Sequence, residues 1–242
     1  MKNTTCLEVK INMKYGKIVR GRLDRKINRF IAEVFIDGIK EQVHIKNTGR
    51  LKELLVLGAE VLLELSNNPN RKMRFSLIAV AKNGSWVNID SQAPNAVAFE
   101  ALKAGKLTEF GGLVELVKRE VTYGDSRFDL YFEKGSEKGF IEVKGVTLEE
   151  NGVAMFPDAP TARGTKHVLE LAQAAHEGYT TAILFIIQMK GCRAFSPHRE
   201  MDAAFADALL EASRQGVQIL AYDSIVKEDE LVLGEKLPIN LS

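Results

Sequence analysis

Apolar and polar residues alternate with a period of two along most of the first third of the chain. This alternation is typical of strands with one buried face. It predicts five short strands and a short helix between the third and the fourth strand. The strands are residues 17–23, 29–36, 40–45, 60–65 and 74–80, and the helix is residues 50–56. Asp37-Gly38 and residues 67–70 have the composition of turns. Five strands with a helix after the third match an OB-type barrel, and another small barrel or a sandwich is the alternative.

The remainder of the chain alternates between helical and strand periods. The predicted elements are helices 96–103 and 113–118, a hairpin of strands 128–132 and 140–146, a polar loop 149–165, a helix 167–177, a strand 180–189, a helix 200–215 and a strand 217–222. This order is typical of an α/β sheet with helices on its faces. Residues 91–95 have the composition of a linker. The sequence therefore predicts two domains, 1–90 and 91–242, with residues 1–14 as a loose extension.

Composition adds limits to this architecture. Of the 242 residues, 45% are hydrophobic and 27% are charged, which is typical of a soluble globular protein. No apolar run approaches the roughly 20 residues of a membrane span, and the N-terminus lacks the apolar core of a signal peptide. Cys6 and Cys192 lie far apart without metal-like spacing. We therefore expect a cytoplasmic, reduced protein with no membrane partner.

The charge is divided unevenly between the two predicted domains. Residues 1–90 carry 17 Lys and Arg against 9 Asp and Glu, a net charge of +8, whereas residues 91–242 carry 16 against 23, a net charge of −7. A basic first domain is suited to a polyanion, because each neutralised phosphate releases counterions. The candidate nucleic-acid-binding residues there are Arg20, Arg22, Arg25, Lys26, Arg29 and Arg50. An ordinary solvated basic face is the alternative.

Two carboxylates and a lysine converge in the predicted hairpin. Glu142 and Lys144 are two apart on one strand, so their side chains share a face, and Asp129 on the neighbouring strand can meet them. Carboxylates suit a hard cation such as Mg²⁺ or Mn²⁺, which lowers the pKa of a bound water. This spacing resembles the PD-(D/E)-x-K nuclease core. The alternative is a solvated charge ladder in which the acids pair with Arg127 and Lys144.

Further candidates flank this hairpin. Glu120 resembles the additional acidic residue that many such nucleases place on a preceding helix, which would make it a third metal ligand beside Asp129 and Glu142. Arg163 and Lys166 lie at a predicted helix N-terminus, a favourable place for a phosphate. His167 follows them and is a candidate to contact the attacking water or a phosphate.

Several motifs together resemble the sugar fermentation stimulation protein family, SfsA. They are Asn28-Arg29-Phe30, Val43-His44, Asn47-Thr48-Gly49-Arg50, Glu53-Leu54-Leu55, Pro94-Asn95, Ser126-Arg127-Phe128-Asp129, Glu142-Val143-Lys144 and, the longest, residues 156–167. The resemblance implies an OB-like domain joined to a PD-(D/E)-x-K nuclease-like domain, DNA binding with little sequence preference, and a link to sugar utilisation. It places Asp129, Glu142 and Lys144 in the nuclease-type core, with Glu120 as a fourth member.

Two functions from different classes follow. The first is a metal-dependent nuclease that binds DNA, or RNA, mainly through the backbone. The second is a non-catalytic DNA-binding protein with a regulatory role in sugar metabolism, since the basic domain lacks a helix-turn-helix or zinc pattern for reading bases. A sugar-binding enzyme is a weaker third hypothesis that rests on the family name. The sequence leaves open whether two chains form a homodimer.

Overall fold

A computed structural model describes residues 13–47 and 49–241. Most of the expected N-terminal extension, including Cys6, lies outside this range, as does Thr48. The first described strand is β1 (Met13–Lys14). It is followed by β2 (Ile18–Lys26), β3 (Ile31–Ile36), β4 (Ile39–Ile45), β5 (Glu60–Leu65), β6 (Phe75–Lys82) and β7 (Ser85–Asn88). The strand order β4-β3-β2-β5-β6-β7 closes through a parallel pairing of β4 with β6, which forms a five-stranded barrel from β2 to β6. The predicted OB-type barrel is confirmed.

The barrel is explained by the pattern of buried residues and by two glycines, one in a turn with positive φ and one where the chain packs too closely for a Cβ. Alternate residues of β2 and β4 are buried, whereas the apolar β6 is buried along its first six residues. Asp37 and Gly38 both have positive φ and connect β3 to β4 as a two-residue hairpin. Gly21 is required for a different reason: a Cβ there would lie 2.5 Å from Val34 Cγ1. The predicted helix over 50–56 is wrong, because the backbone forms turns there and Leu51 has positive φ.

A mixed seven-stranded sheet forms the second part of the molecule. Its elements and their neighbours are α1 (Ala93–Lys103), β8 (Leu116–Tyr123), β9 (Ser126–Lys134), β10 (Glu137–Val146), β11 (Leu148–Glu150), β12 (Val153–Phe156), α2 (Ala162–His176), β13 (Thr180–Ile187), β14 (Ala194–Pro197), α3 (Ala203–Arg214), β15 (Gln218–Val226) and β16 (Glu230–Lys236). The sheet order is β1-β16-β15-β13-β10-β9-β8, and β11, β12 and β14 form a small separate sheet. The central strands β10, β13 and β15 are parallel. The predicted α/β architecture is confirmed.

Helices cover both faces of the seven-stranded sheet. On one face α1 packs on Ile141 and Val143 of β10, and on the other face α2 and α3 pack on a core that contains Phe140 of the same strand. Among the described residues, no helix is both long and apolar enough to cross a bilayer. The alternation along β10 therefore determines which residues face α2, and Glu142 is one of them.

Four local predictions in this region are wrong. Residues 113–118 do not form a helix, because this segment leads into the edge strand β8 and pairs with β9. The expected loop 149–165 contains β11 and β12, which are joined by the positive-φ pair Asn151 and Gly152. The expected linker 91–95 contains the start of α1. Strands β14 and β16 are absent from the predicted elements.

The barrel and the seven-stranded sheet are joined by a buried polar network. Gln188, just after β13, donates from Nε2 to Asn88 Oδ1 at 2.7 Å and to the Asp90 carbonyl at 3.1 Å. Asn88 donates from Nδ2 to Tyr15 Oη at 2.7 Å, and its backbone N–H donates to the Gln188 carbonyl at 2.9 Å. Buried polar groups of this kind are costly when they lose their partners. The network therefore fixes the barrel relative to the sheet.

Replacing Gln188 with alanine is expected to destabilise the fold by about 2 kcal/mol, because Asn88 Oδ1 and the Asp90 carbonyl each lose one hydrogen bond in a buried site, and Asn88 Oδ1 keeps only the Asp90 N–H as a donor. Thermal and urea unfolding monitored by circular dichroism measure the change. Gln173→Ala, at an exposed position on α2, is the matched control and is expected to change the stability by less than about 0.5 kcal/mol. Equal effects of the two substitutions would contradict a structural role for Gln188.

Candidate functional site

The site lies where β9 and β10 separate. Ile141 and Leu130 form the last pair in their ladder, after which the two strands diverge. Asp129 occupies the opening, and its Oδ2 accepts the backbone N–H of Val143 at 2.8 Å. A carboxylate here satisfies a β10 donor that the ladder no longer reaches. The divergence of the strands therefore brings Asp129 beside Glu142.

Asp129 is held by one further group that the sequence does not single out for the site. Asn95 of α1 donates from Nδ2 to Asp129 Oδ1 at 2.7 Å. Burial, and then the negative charge of Glu142, raise the pKa of Asp129 to about 6, while hydrogen bonds from Val143 and Asn95 and the charge of Lys144 oppose this shift. The positive charge of Lys144 therefore does not fully offset burial and the charge of Glu142 at this carboxyl group. The side chain is therefore suited to hold a cation.

Glu142 is almost fully buried, with 2% of its surface exposed. Its Oε1 contacts both Lys144 Nζ and His167 Nδ1. Burial is the largest influence and raises the pKa of Glu142, but the hydrogen bond from His167 and the charge of Lys144 outweigh it, so the pKa lies below its usual value. Glu142 is thus an ionised carboxylate inside the protein. The predicted proximity of Glu142 and Lys144 is present in the structure.

The second oxygen of Glu142 has no such partners. Glu142 Oε2 is buried and accepts no hydrogen bond from the described residues. A buried carboxylate oxygen without a partner is costly, and such groups commonly face an ion or a water. The oxygen lies on a side chain next to the opening that Asp129 occupies. It is the clearest indication of a missing ligand in this part of the molecule.

His167 lies on α2 and contacts Oε1 of Glu142, not the unpartnered Oε2. Its ring is 5% exposed on α2, and Arg163, one turn earlier, donates from Nε to His167 Nε2 at 3.4 Å. Because Nε2 accepts this bond, Nδ1 carries the proton and donates to Glu142. In the structure His167 contacts Glu142, and its expected contact with an attacking water or a phosphate stays a prediction. Thr161 caps the N-terminus of α2, because its Oγ1 accepts the Gly164 N–H at 3.1 Å.

Glu120 does not lie on a helix. It belongs to the edge strand β8, where it has positive φ and its side chain is 62% exposed. Its carboxylate pairs with Arg127 at 3.4 Å, so Arg127 pairs with Glu120 and not with Asp129 or Glu142 as the charge-ladder alternative expects. Within the described residues no group of three or more His, Cys, Asp and Glu side chains is arranged to hold a metal ion. Two carboxylates, Asp129 and Glu142, form the acidic part of the site.

The predicted nucleic-acid-binding residues of the barrel fall into two groups. On the outer face, Arg20 pairs with Glu228, Arg25 pairs with Glu33 at 2.8 Å, and Arg22 donates to the Gly58 carbonyl at 3.4 Å. The second group lies at the end of the barrel next to α2 and comprises Lys26, Arg29 and Arg50. Within the described parts of the chain, none of these three side chains forms an ion pair with a carboxylate. The two groups therefore differ in the charge that they offer to a ligand.

Two further cations come from α2. Lys166 donates from Nζ to the Asp125 carbonyl at 3.3 Å and lies 3.6 Å from Glu170. Arg163 contacts His167 and no carboxylate among the described side chains. Asp158, in the loop before α2, accepts the Arg50 backbone N–H at 3.1 Å and links this loop to the barrel. No pattern in the sequence indicates the Asp158 contact, which spans 108 residues.

The fold defines the class of protein: an N-terminal OB barrel joined to an α/β domain, which carries an acid pair and a lysine where two strands diverge. Two family models match the chain: the SfsA N-terminal OB domain at residues 25–89 and the sugar fermentation stimulation protein RE domain at residues 92–230. The chain belongs to the SfsA, or sugar fermentation stimulation protein, family. The resemblance deduced from the motifs is confirmed.

Known relatives cover nearly the whole chain. The sugar fermentation stimulation protein homolog of Alkaliphilus oremlandii is 55% identical over 233 residues, which are 94% of this chain and 99% of the relative. That of Ruminiclostridium cellulolyticum is 49% identical over 229 residues, 95% of this chain and 100% of the relative. The structure of Pyrococcus furiosus SfsA in complex with Ca²⁺ matches with a TM-score of 0.85 and 29% identity, and covers 94% of this chain and 98% of that one.

Proposed function

We propose that this protein binds DNA mainly by contacting the sugar-phosphate backbone of the nucleic acid, with little sequence preference, and that it hydrolyses phosphodiester bonds. Asp129 and Glu142 would hold Mg²⁺ or Mn²⁺ for this reaction, and Lys144 completes the site. The observation that carries the catalytic part is the buried, unpartnered Glu142 Oε2 beside Asp129. The OB domain and the net charge of +8 over residues 1–90 support the binding part. Nucleic acid as the ligand also supports a cytoplasmic location.

The residues of the site fit a hard divalent cation. Glu142 supplies an ionised oxygen without a partner, and Asp129, whose pKa is raised to about 6, gains from a nearby positive charge. Carboxylate oxygens are the ligands that Mg²⁺ and Mn²⁺ prefer, and the Pyrococcus furiosus relative was solved with Ca²⁺, another oxygen-binding cation. When bound, the cation would lower the pKa of a water and polarise the phosphate.

The chain's own residues have separate roles in this proposal. Lys144 places its ammonium group beside Glu142, where it offsets negative charge on the phosphate that is attacked. His167 keeps the Glu142 carboxylate in one orientation by donating from Nδ1, and Arg163 fixes the tautomer that makes this possible. Asn95 does the same for Asp129. Asp129 and Glu142 would hold the cation, and Glu120 is left as an outlying candidate.

One observation favours a second function, that of a non-catalytic DNA-binding protein with a regulatory role in sugar metabolism. Only two carboxylates converge at the site within the described residues, and Glu120 pairs with Arg127 instead of joining them. A site with two acids offers a cation fewer fixed ligands than one with three. In this alternative the α/β domain supports the barrel, and binding alone is the function.

A cleavage assay separates the two proposals. End-labelled single- and double-stranded DNA and RNA are incubated with the full-length protein in Mg²⁺, in Mn²⁺ and in EDTA, and binding is measured in parallel by fluorescence anisotropy. We expect salt-sensitive binding in all three conditions and cleavage only with a divalent metal. Binding without cleavage under either metal would support the non-catalytic function, and the absence of binding would contradict both.

A further inference from the structure

The two groups of cations on the barrel are compensated to different extents. In the outer-face group, Arg20 is paired with Glu228 of the second domain and Arg25 with Glu33 of the barrel, while Arg22 donates to the Gly58 carbonyl. Lys26, Arg29 and Arg50 form the cleft group, and Lys26 donates to the Arg50 carbonyl at 2.8 Å instead of to a carboxylate. Like charges held close together repel one another unless an anion lies between them. Arg29 and Arg50 of the cleft group therefore have positive charge available for a phosphate, whereas Lys26 also feels the nearby carboxylates of Asp158 and Glu53.

The cleft beside this group reaches β10, the strand that carries Glu142 and Lys144. One cavity of about 340 Å³ is lined by Arg29 and Arg50 from the barrel and by residues 156–161 from the second domain. A second cavity, of about 170 Å³, is lined by Gly145 and Val146, which directly follow Lys144 in β10. The two cavities share Gly49, Phe156 and Asp158 in their walls. The cleft thus extends from the unpaired arginines to the strand that carries Lys144.

An exposed aromatic residue directly follows Arg29, which lines this cleft. Phe30 follows Arg29 in the loop that joins β2 to β3, and 49% of its surface is exposed. The loop has a fixed form, because Asn28 Oδ1 accepts the backbone N–H groups of Phe30 and Ile31. OB folds use the loop between their first two strands for oligonucleotides. An exposed ring next to unpaired cations is the combination that single-strand-binding proteins use, with bases stacked on the ring and phosphates held by the cations.

We propose that the cleft between the barrel and the second domain is a groove for single-stranded nucleic acid. Its phosphates are held by Lys26, Arg29 and Arg50, and one base stacks on Phe30. This proposal rests on the proposed function and specifies its ligand. In a duplex the bases already stack on one another, so Phe30 could not contact a base face. The outer face, with Arg20 and Arg25 paired, is not part of the groove.

Anisotropy titrations of the full-length protein in EDTA test this groove, with a fluorescent oligothymidine and a duplex of mixed sequence as probes. Phe30→Ala is expected to weaken single-strand binding about tenfold, since stacking of one base contributes about 1–3 kcal/mol. The double variant Arg29→Ala/Arg50→Ala is expected to lower the slope of log K against log salt by about 1.4, because each neutralised phosphate of a single strand accounts for about 0.7. The unsubstituted protein is expected to bind the single strand more tightly than the duplex.

Two matched controls accompany these variants. Phe35→Ala removes another exposed phenylalanine, on the outer face, and Arg199→Ala/Arg214→Ala removes two ion-paired arginines of the second domain. Both are expected to leave the single-strand affinity within about twofold, since none of these side chains adjoins the cleft. If Arg20→Ala/Arg25→Ala weakens binding more than Arg29→Ala/Arg50→Ala does, the groove proposal is overturned while nucleic-acid binding stands. If the unsubstituted protein binds neither probe, the proposed function fails as well.

Discussion

Replacing Asp129 with asparagine is expected to lower the rate of metal-dependent cleavage by about a thousandfold or more, with little change in nucleic-acid binding. The substitution removes one of the two carboxylates that would hold the cation. A bound cation lowers the activation free energy by about several kcal/mol, and each 1.36 kcal/mol changes the rate about tenfold. The asparagine side chain would retain an oxygen for the Val143 N–H or for Asn95, so the fold should persist. Cleavage of labelled DNA in Mn²⁺ and a far-ultraviolet circular dichroism spectrum measure the two effects.

The matched control for this substitution is Glu211→Gln, which removes an exposed carboxylate of α3 that pairs with Arg214 at 3.6 Å. It should cleave at the rate of the unsubstituted protein. Isothermal titration with Mn²⁺ adds a readout that is independent of activity, and the Asp129→Asn protein is expected to lose the metal-binding heat. Full activity of Asp129→Asn would remove this residue from the site. A loss of activity in Glu120→Gln but not in Asp129→Asn would move the metal site to the edge strand.

The sequence is a good guide where one face of an element is buried. Strands β2 and β4 are predicted because buried and exposed residues alternate along them, and β6 is predicted because it is almost continuously apolar. The start of β8 is mistaken for a helix because Leu113, Leu116, Val117 and Val121 have helical spacing. Pairing with β9 overrides that local preference, since strand formation depends strongly on the neighbouring strand. The spacing of apolar residues therefore fails where a tertiary partner determines the structure.

In the site, too, contacts between neighbouring residues of one strand are predictable from the sequence, and contacts between distant segments are not. The contact of Glu142 with Lys144 follows from their separation of two along a strand. The contact of Asn95 with Asp129 and the position of His167 behind Glu142 join segments 34 and 25 residues apart in different elements. The pairing of Arg20 with Glu228, which spans 208 residues, removes an arginine from the expected binding face. Such contacts depend on tertiary packing and leave no periodic signal.

Replacing Lys144 with methionine is expected to abolish cleavage and also to destabilise the metal-free protein by about 3 kcal/mol. Glu142 is buried and ionised, and Lys144 is one of the two groups that contact its Oε1. Removing one partner of a buried ion pair leaves an uncompensated charge, whereas removing both charges is often close to neutral. Thermal unfolding in EDTA measures the stability, and the cleavage assay measures the activity.

The double variant Glu142→Gln/Lys144→Met is therefore expected to regain most of the stability lost in Lys144→Met while remaining inactive. The glutamine side chain would keep an acceptor oxygen for His167 Nδ1 but would carry no charge for a cation. The coupling energy from the wild type, the two single variants and the double variant gives the interaction between the two side chains directly. If the double variant is as unstable as Lys144→Met, then Lys144 contributes through the packing of its methylene groups and not through the Glu142 charge. Recovered stability without recovered activity would mean that the ionised pair is retained for chemistry at a cost to the fold.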